Sequence, residues 1–97
     1  MHARVMTIQV QPGKKDEVIS IYRDSVAPVV KQLKGFKSGF LLSNSDTDKW
    51  ISISVWETKD DMNAGEASGY LKEQIAKLAA TFAGTPVKEH YEVVLRI

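Results

Sequence analysis

The run Trp50-Ile51-Ser52-Ile53-Ser54-Val55-Trp56 constrains this chain more than any other stretch. It alternates with period two, which is the signature of a strand. One face carries Ile51, Ile53 and Val55; the other carries Trp50, Ser52, Ser54 and Trp56. Neither face suits water. In a chain of 97 residues, which has room for one domain and little more, such a strand calls for cover on both sides. A core can supply one cover, and a partner is the simplest source of the second.

The segments around this strand set the order of elements. Arg4–Val10 is strand-like, with Val5, Met6, Ile8 and Val10 apolar, and Pro12-Gly13 stops it. From Asp16 to Leu33 the period becomes helical: Val18, Ile19, Tyr22, Val26, Val29, Val30 and Leu33 form one apolar stripe. Asp16 and Glu17 suit the positive end of that helix, and Lys31 and Lys34 the negative end. Pro28 predicts a kink or a restart. Gly35 ends the helix, and Phe36–Leu42 reads as a second strand, weakened at Gly39. Ser43–Lys49 is polar and turn-rich, so it predicts a β-hairpin into Trp50–Trp56.

Thr58 is placed as an N-cap, with Asp61 completing a capping-box pattern. A first helical turn is expected over Lys59–Ala64, interrupted by Gly65 and Gly69, with Ser68 able to cap a restart. Tyr70–Phe82 is amphipathic, with Leu71, Ile75, Leu78, Ala79 and Phe82 on one side. After Gly84-Thr85-Pro86, Val87–Ile97 predicts a last strand with Tyr91, Val93, Leu95 and Ile97 on one face. The order is β-α-β-β-α-β: an α+β, ferredoxin-like domain over residues 1–97, with an antiparallel sheet and both helices on one side. The uncovered side of the sheet predicts a symmetric homodimer packed sheet to sheet.

Several functions are disfavoured by composition. Net charge is +1, with acidic and basic residues interspersed, so nucleic acid is not an expected partner. The chain has no cysteine, which excludes disulfides, thiolate catalysis and cysteine-ligated metals. No apolar run approaches the roughly 18–20 residues of a membrane span, and the opening residues do not read as a signal peptide. No membrane partner is expected, and a cytoplasmic location is. His2 and His90 are too scattered to make a metal site, and no glycine-rich phosphate loop or dinucleotide motif is present. No cofactor is expected.

Three segments together resemble the antibiotic biosynthesis monooxygenase family, within the dimeric α+β barrel superfamily. These are the opening strand ending in Pro12-Gly13-Lys14, the helix closing on Leu33-Lys34-Gly35-Phe36, and Val55-Trp56-Glu57-Thr58-Lys59 leading into the second helix. The resemblance implies two facing sheets forming a barrel across a homodimer, and a small-molecule cleft between sheet and helices in each subunit. It also implies cofactor-independent oxygenation of a small, electron-rich aromatic such as a quinol or anthrone. The alternative is a non-catalytic, small-ligand-binding or stress-related barrel.

By the same resemblance, Trp56 matches a tryptophan that lines the cleft of the anthrone oxygenases. Ser52 stands where those enzymes carry an asparagine that steadies substrate oxyanion character. Met62 stands in place of a tyrosine, and Lys72 echoes an arginine on the second helix. The haem-degrading branch uses a histidine and a tryptophan that residues 59–83 lack, so that activity is not expected.

The residues themselves add candidates. Ser52 and Ser54 form a polar notch between two aromatics, the pattern of a small-ligand site. Tyr22 lies on the stripe of the first helix, where its hydroxyl could donate beneath the sheet. His90 is suited to proton transfer near neutrality. Asn63, in a segment loosened by glycines, and Tyr70 complete the set. The expected catalytic residues are therefore Ser52, Trp56, Lys72 and His90. The expected substrate contacts are Tyr22, Ser54, Met62, Asn63 and Tyr70, around a small apolar or aromatic ligand.

Overall fold

A computed structural model describes residues 1–97. Its elements are β1 (His2–Gln9), α1 (Lys15–Ile21), a π-helical turn (Tyr22–Val26), α2 (Ala27–Val30), β2 (Phe36–Asn44), β3 (Lys49–Trp56), α3 (Lys59–Ala67), α4 (Tyr70–Leu78), a 3-10 turn (Ala79–Thr81) and β4 (Val87–Glu92). The strands form one antiparallel sheet in the order β2-β3-β1-β4. This is the ferredoxin-like α+β arrangement that the pattern predicts.

Register assigns the two faces of the sheet. Arg4, Met6 and Ile8 on β1 pair with Ser54, Ser52 and Trp50 on β3. These residues face the helices. Ile8, Val10 and Trp50 join Val18 and Leu78 in one core cluster; Trp56 joins Val30, Met62 and Tyr70 in a second. On the opposite face Val5, Ile53 and Phe40 are neighbours across three strands, as are Thr7, Ile51 and Leu42. No element of this chain covers that face: Phe40 is 58% exposed, and Leu42, Val87 and Tyr91 are also open.

Pro28 does restart the helix. Its ring carries no N–H and crowds the carbonyl four residues earlier. The ladder widens ahead of it into the π-helical turn, and α2 begins with the proline in its first turn. The widened stretch opens at Tyr22. Such bulges recur at functional sites.

Several boundaries differ from expectation. The first strand spans His2–Gln9 rather than Arg4–Val10, and the first helical segment closes at Val30 rather than Leu33. The polar turn is shorter than 43–49, with β2 reaching Asn44 and β3 starting at Lys49. Gly65 does not interrupt the helix: α3 runs through it to Ala67, and the break comes at Gly69, which has a φ of 88°. Gly65 is buried against Trp56, where a Cβ would come within 3.0 Å of Cη2, so close packing explains the glycine. The helix expected to reach Phe82 stops at Leu78 and tightens into the 3-10 turn. The last strand ends at Glu92 rather than Ile97. Its last pair is His2 with Glu92, followed by a bond from the Val93 N–H to the Met1 carbonyl at 2.9 Å.

The capping signal is half realised: the Asp61 carboxylate turns to Lys34 rather than back to the Thr58 N–H. Thr58 caps α3, its hydroxyl accepting from the Asp61 N–H at 3.0 Å. No helix is long and apolar enough to cross a membrane.

Candidate functional site

A cavity of about 730 Å³ lies between the helix-facing side of the sheet and the helices. That volume is in the range of small-molecule sites. Hydrophobic side chains supply 16 of its 25 lining residues, so an occupant must be largely apolar. Met6, Ile8 and Leu41 form its floor, and Tyr22, Val26, Leu71 and Ile75 close it from the helices.

The polar groups on this wall are few and convergent. Arg4 is the most buried charge, only 4% exposed. A lone guanidinium could not stay there, and Arg4 is held on several sides. Nη1 donates to Glu66 Oε1 at 3.3 Å, and Nη2 donates to the Tyr70 hydroxyl oxygen. Its carbon lies 5.7 Å from the ring centroids of both Trp56 and Tyr70, within cation–π range. Because Tyr70 accepts from Arg4, its own proton remains available at the cavity wall.

Glu66 gathers three nitrogen-bearing side chains, Arg4, His90 and Lys88. Oε1 meets Arg4 and also His90 Nε2 at 2.8 Å, and Oε2 meets Lys88 Nζ at 3.3 Å. Burial is the largest single effect on its carboxyl and opposes ionisation. The hydrogen bonds and charges of His90 and Arg4 together outweigh burial, so the carboxyl sits below its ordinary pKa. Glu66 therefore stays ionised and fixes Arg4 from behind.

Burial pushes both cavity phenols above their ordinary pKa. For Tyr70, the charge and hydrogen bond of Arg4 only partly oppose this. For Tyr22, the neighbouring Ser52 hydroxyl and the charge of Arg4 do the same. Both tyrosines are thus neutral donors across the physiological range rather than anionic bases. Gln74, one helical turn beyond Tyr70, is also buried on the wall.

The expected site residues divide into two groups. Tyr22, Ser52, Ser54 and Tyr70 share the cavity wall. Trp56 lies behind it: it is 0% exposed, meets Phe36 edge-to-face at 5.5 Å, and donates through Nε1 to Ser54 Oγ at 3.0 Å. Met62 is buried in the same cluster. Asn63 and Lys72 are exposed and are not among the lining residues. His90 is at the sheet edge against Glu66, outside the lining. No three His, Asp or Glu side chains converge to hold a metal ion.

Arg4, Glu66 and Gln74 were not among the sequence candidates. Arg4 shares the strand parity of Met6, Ile8 and Val10, so a charge on the inward face was a readable signal. Gln74 stands four residues from both Tyr70 and Leu78, inside an otherwise apolar stripe. Glu66 carried no comparable signal, because its partners come from β1 and β4.

Comparison with known proteins places this geometry in context. A family model described as antibiotic biosynthesis monooxygenase matches residues 1–77. Two uncharacterized proteins of Mycobacterium tuberculosis are similar in sequence. One is 32% identical over 97 aligned residues, covering 96% of this chain and 41% of that protein. The other is 30% identical over 96, covering 98% and 39%. The chain thus spans about two fifths of the length of these curated relatives.

Among solved structures, SnoaB, a cofactor-independent oxygenase from Streptomyces nogalater, superposes in a mutant form with a TM-score of 0.82. It is 22% identical, with 99% of this chain and 95% of that one covered. A Caulobacter crescentus protein, provisionally described as an antibiotic biosynthesis monooxygenase, gives a TM-score of 0.80 at 25% identity, covering 97% and 90%.

Proposed function

The chain belongs to the antibiotic biosynthesis monooxygenase family, and from that premise we propose that it is a cofactor-independent monooxygenase of a small, electron-rich aromatic of the quinol or anthrone kind. The observation that carries this reading is the Arg4–Tyr70 pair: a buried cation beside a phenol whose proton is free, set in an apolar cavity. An acidic hydroxyl on a flat substrate would be held there as its anion. Tyr70 donates to the anionic oxygen, and Arg4 supplies the charge that favours loss of the proton. Charge-assisted hydrogen bonds of this type contribute roughly 1.5–3 kcal/mol each.

The substrate anion is itself the reductant. It passes electrons to dioxygen, and a ring carbon forms a bond to one oxygen atom. The O–O bond then breaks; one oxygen stays as a carbonyl, and the other leaves as water with the two hydrogens the substrate loses. What this chemistry asks of the protein is an apolar enclosure and donors fixed in advance where charge develops. Tyr22, Ser52 and Ser54 add donors on the same wall. Trp56 and Glu66 act through Arg4: one packs against its guanidinium, the other pairs with it.

The open apolar sheet face supports a homodimer, in which a second copy covers Phe40, Leu42, Ile51 and Ile53. The expected setting is cytoplasmic. Oxygen consumption with a panel of hydroquinones, naphthols and anthrones tests the activity. Uptake above autoxidation is expected from folded protein. No uptake above that background would overturn the reading. Thermal stabilisation by the same compounds without uptake would instead identify a non-catalytic binder.

A further inference from the structure

Gln74 is 3% exposed on the cavity wall, and its side chain is held from one end only. Its carbonyl oxygen, Oε1, accepts from Ser25 Oγ at 3.0 Å. Ser25 Oγ in turn accepts from Lys77 Nζ at 2.8 Å. This chain has a direction. An ammonium can only donate, so its approach turns the Ser25 proton away and toward Gln74. The oxygen of the amide is thereby fixed against Ser25, and Nε2, which makes no side-chain hydrogen bond of its own, is not a sealed, unpartnered atom but opens on the cavity. An amide donor that opens on an apolar cavity is the natural partner for an acceptor on whatever enters it.

We propose that Gln74 is a specificity-determining residue that binds a second oxygen of the ligand, opposite the oxygen held by Tyr70 and Arg4. The inference rests on the oxygenase reading above and narrows its substrate class. Tyr70 and Gln74 are four residues apart on α4, so they stand roughly 6 Å apart along the helix axis. Oxygens para to one another across a six-membered ring have a comparable separation. The site therefore selects rings with two para-related oxygen functions over simple phenols. Ser25 and Lys77 are positioning residues: they touch the amide, not the ligand, and keep its donors turned inward.

The test is an anaerobic calorimetric titration with 1,4-dihydroxynaphthalene and 1-naphthol, which differ by the second oxygen alone. Wild type should bind the diol about five- to tenfold more tightly. Gln74→Met should bring that ratio close to one. Ser25→Ala should lower it part way, because the amide is then free to flip; its partly exposed site makes it the safer variant if Gln74→Met folds poorly. Equal wild-type binding of the two compounds, or an undiminished ratio in both variants, would overturn the role of Gln74. If oxygen uptake persists in that case, the oxygenase reading stands. Absence of binding by either compound, together with absence of uptake across the panel, removes both.

Discussion

Arg4 donates through Nη2 to the hydroxyl oxygen of Tyr70, 66 residues further along the chain, and leaves the tyrosine's own proton unspent. Its other nitrogen is held by Glu66 at 3.3 Å. A lysine keeps the charge but lacks the planar fork that reaches both partners. Arg4→Lys is therefore expected to fold and to lose oxygen uptake by about tenfold or more. Arg4→Met should also cost stability, about 1–3 kcal/mol. That is less than the roughly 3–5 kcal/mol for breaking a fully buried pair, because Glu66 retains His90 and Lys88. Urea unfolding and an oxygen electrode separate the two effects.

The ionisable groups of the site predict a stability profile with two edges. The Glu66 carboxyl is depressed in the folded protein. Its contribution is therefore present above its unfolded value and is lost as pH falls through the folded one. The Tyr22 and Tyr70 phenols are raised by burial. Their contribution is present below the ordinary phenol value of about 10 and is lost as pH rises beyond it. Urea midpoints measured across pH should fall at both ends. Glu66→Gln should flatten the acid edge, and Tyr22→Phe should soften the alkaline one. An acid edge of unchanged steepness in Glu66→Gln would refute the assignment.

Gly65 lies beneath the edge of Trp56, and an added Cβ would come within 3.0 Å of Cη2. Trp56 has little room to retreat, since it is fully buried between Phe36 and Arg4. Overpacking of this kind costs about 1–3 kcal/mol. Replacing a helical glycine by alanine returns about 0.5–1 kcal/mol. The overpacking wins, so Gly65→Ala should lower stability by about 1 kcal/mol. A stabilised variant in thermal unfolding would show that helix propensity decides instead.

What was legible in the sequence depended on whether the signal was local. Alternation in Trp50–Trp56, a polar hairpin turn between the second and third strands and the Pro28 restart are each decided within a few residues, and each is present in the structure, though the turn is tighter than 43–49 because Ser43, Asn44 and Lys49 pair in the strands. The same holds for the Thr58 cap. Gly65 was read as a breaker because the reason for it, the Trp56 ring, comes from another element. The alternation of Val93–Ile97 continues beyond Glu92, the last residue paired with β1, because alternation alone does not report a ladder partner. The inward parity of Arg4 was legible, but its role was not. A charge on a short strand reads as an edge or frayed position until Tyr70 and Glu66 are brought to it from α4 and α3.

The face carrying Phe40, Leu42, Ile51 and Ile53 gives the last prediction. The helices already cover the other side of the sheet, so nothing in this chain can bury these side chains. A second copy brings the same face, which is the self-complementarity that a two-fold dimer requires. Light scattering should therefore give twice the 10.8 kDa chain mass at micromolar concentration. Ile53 pairs with Val5 and Phe40 near the middle of this face. Ile53→Asp would place a charge there with no partner, a penalty that dissociation relieves by returning it to water. The expected result is a monomer with its circular dichroism retained, because Ile53 is not part of either core cluster under the helices. A wild-type monomer, or an Ile53→Asp dimer of undiminished affinity, would show that this face is not the interface.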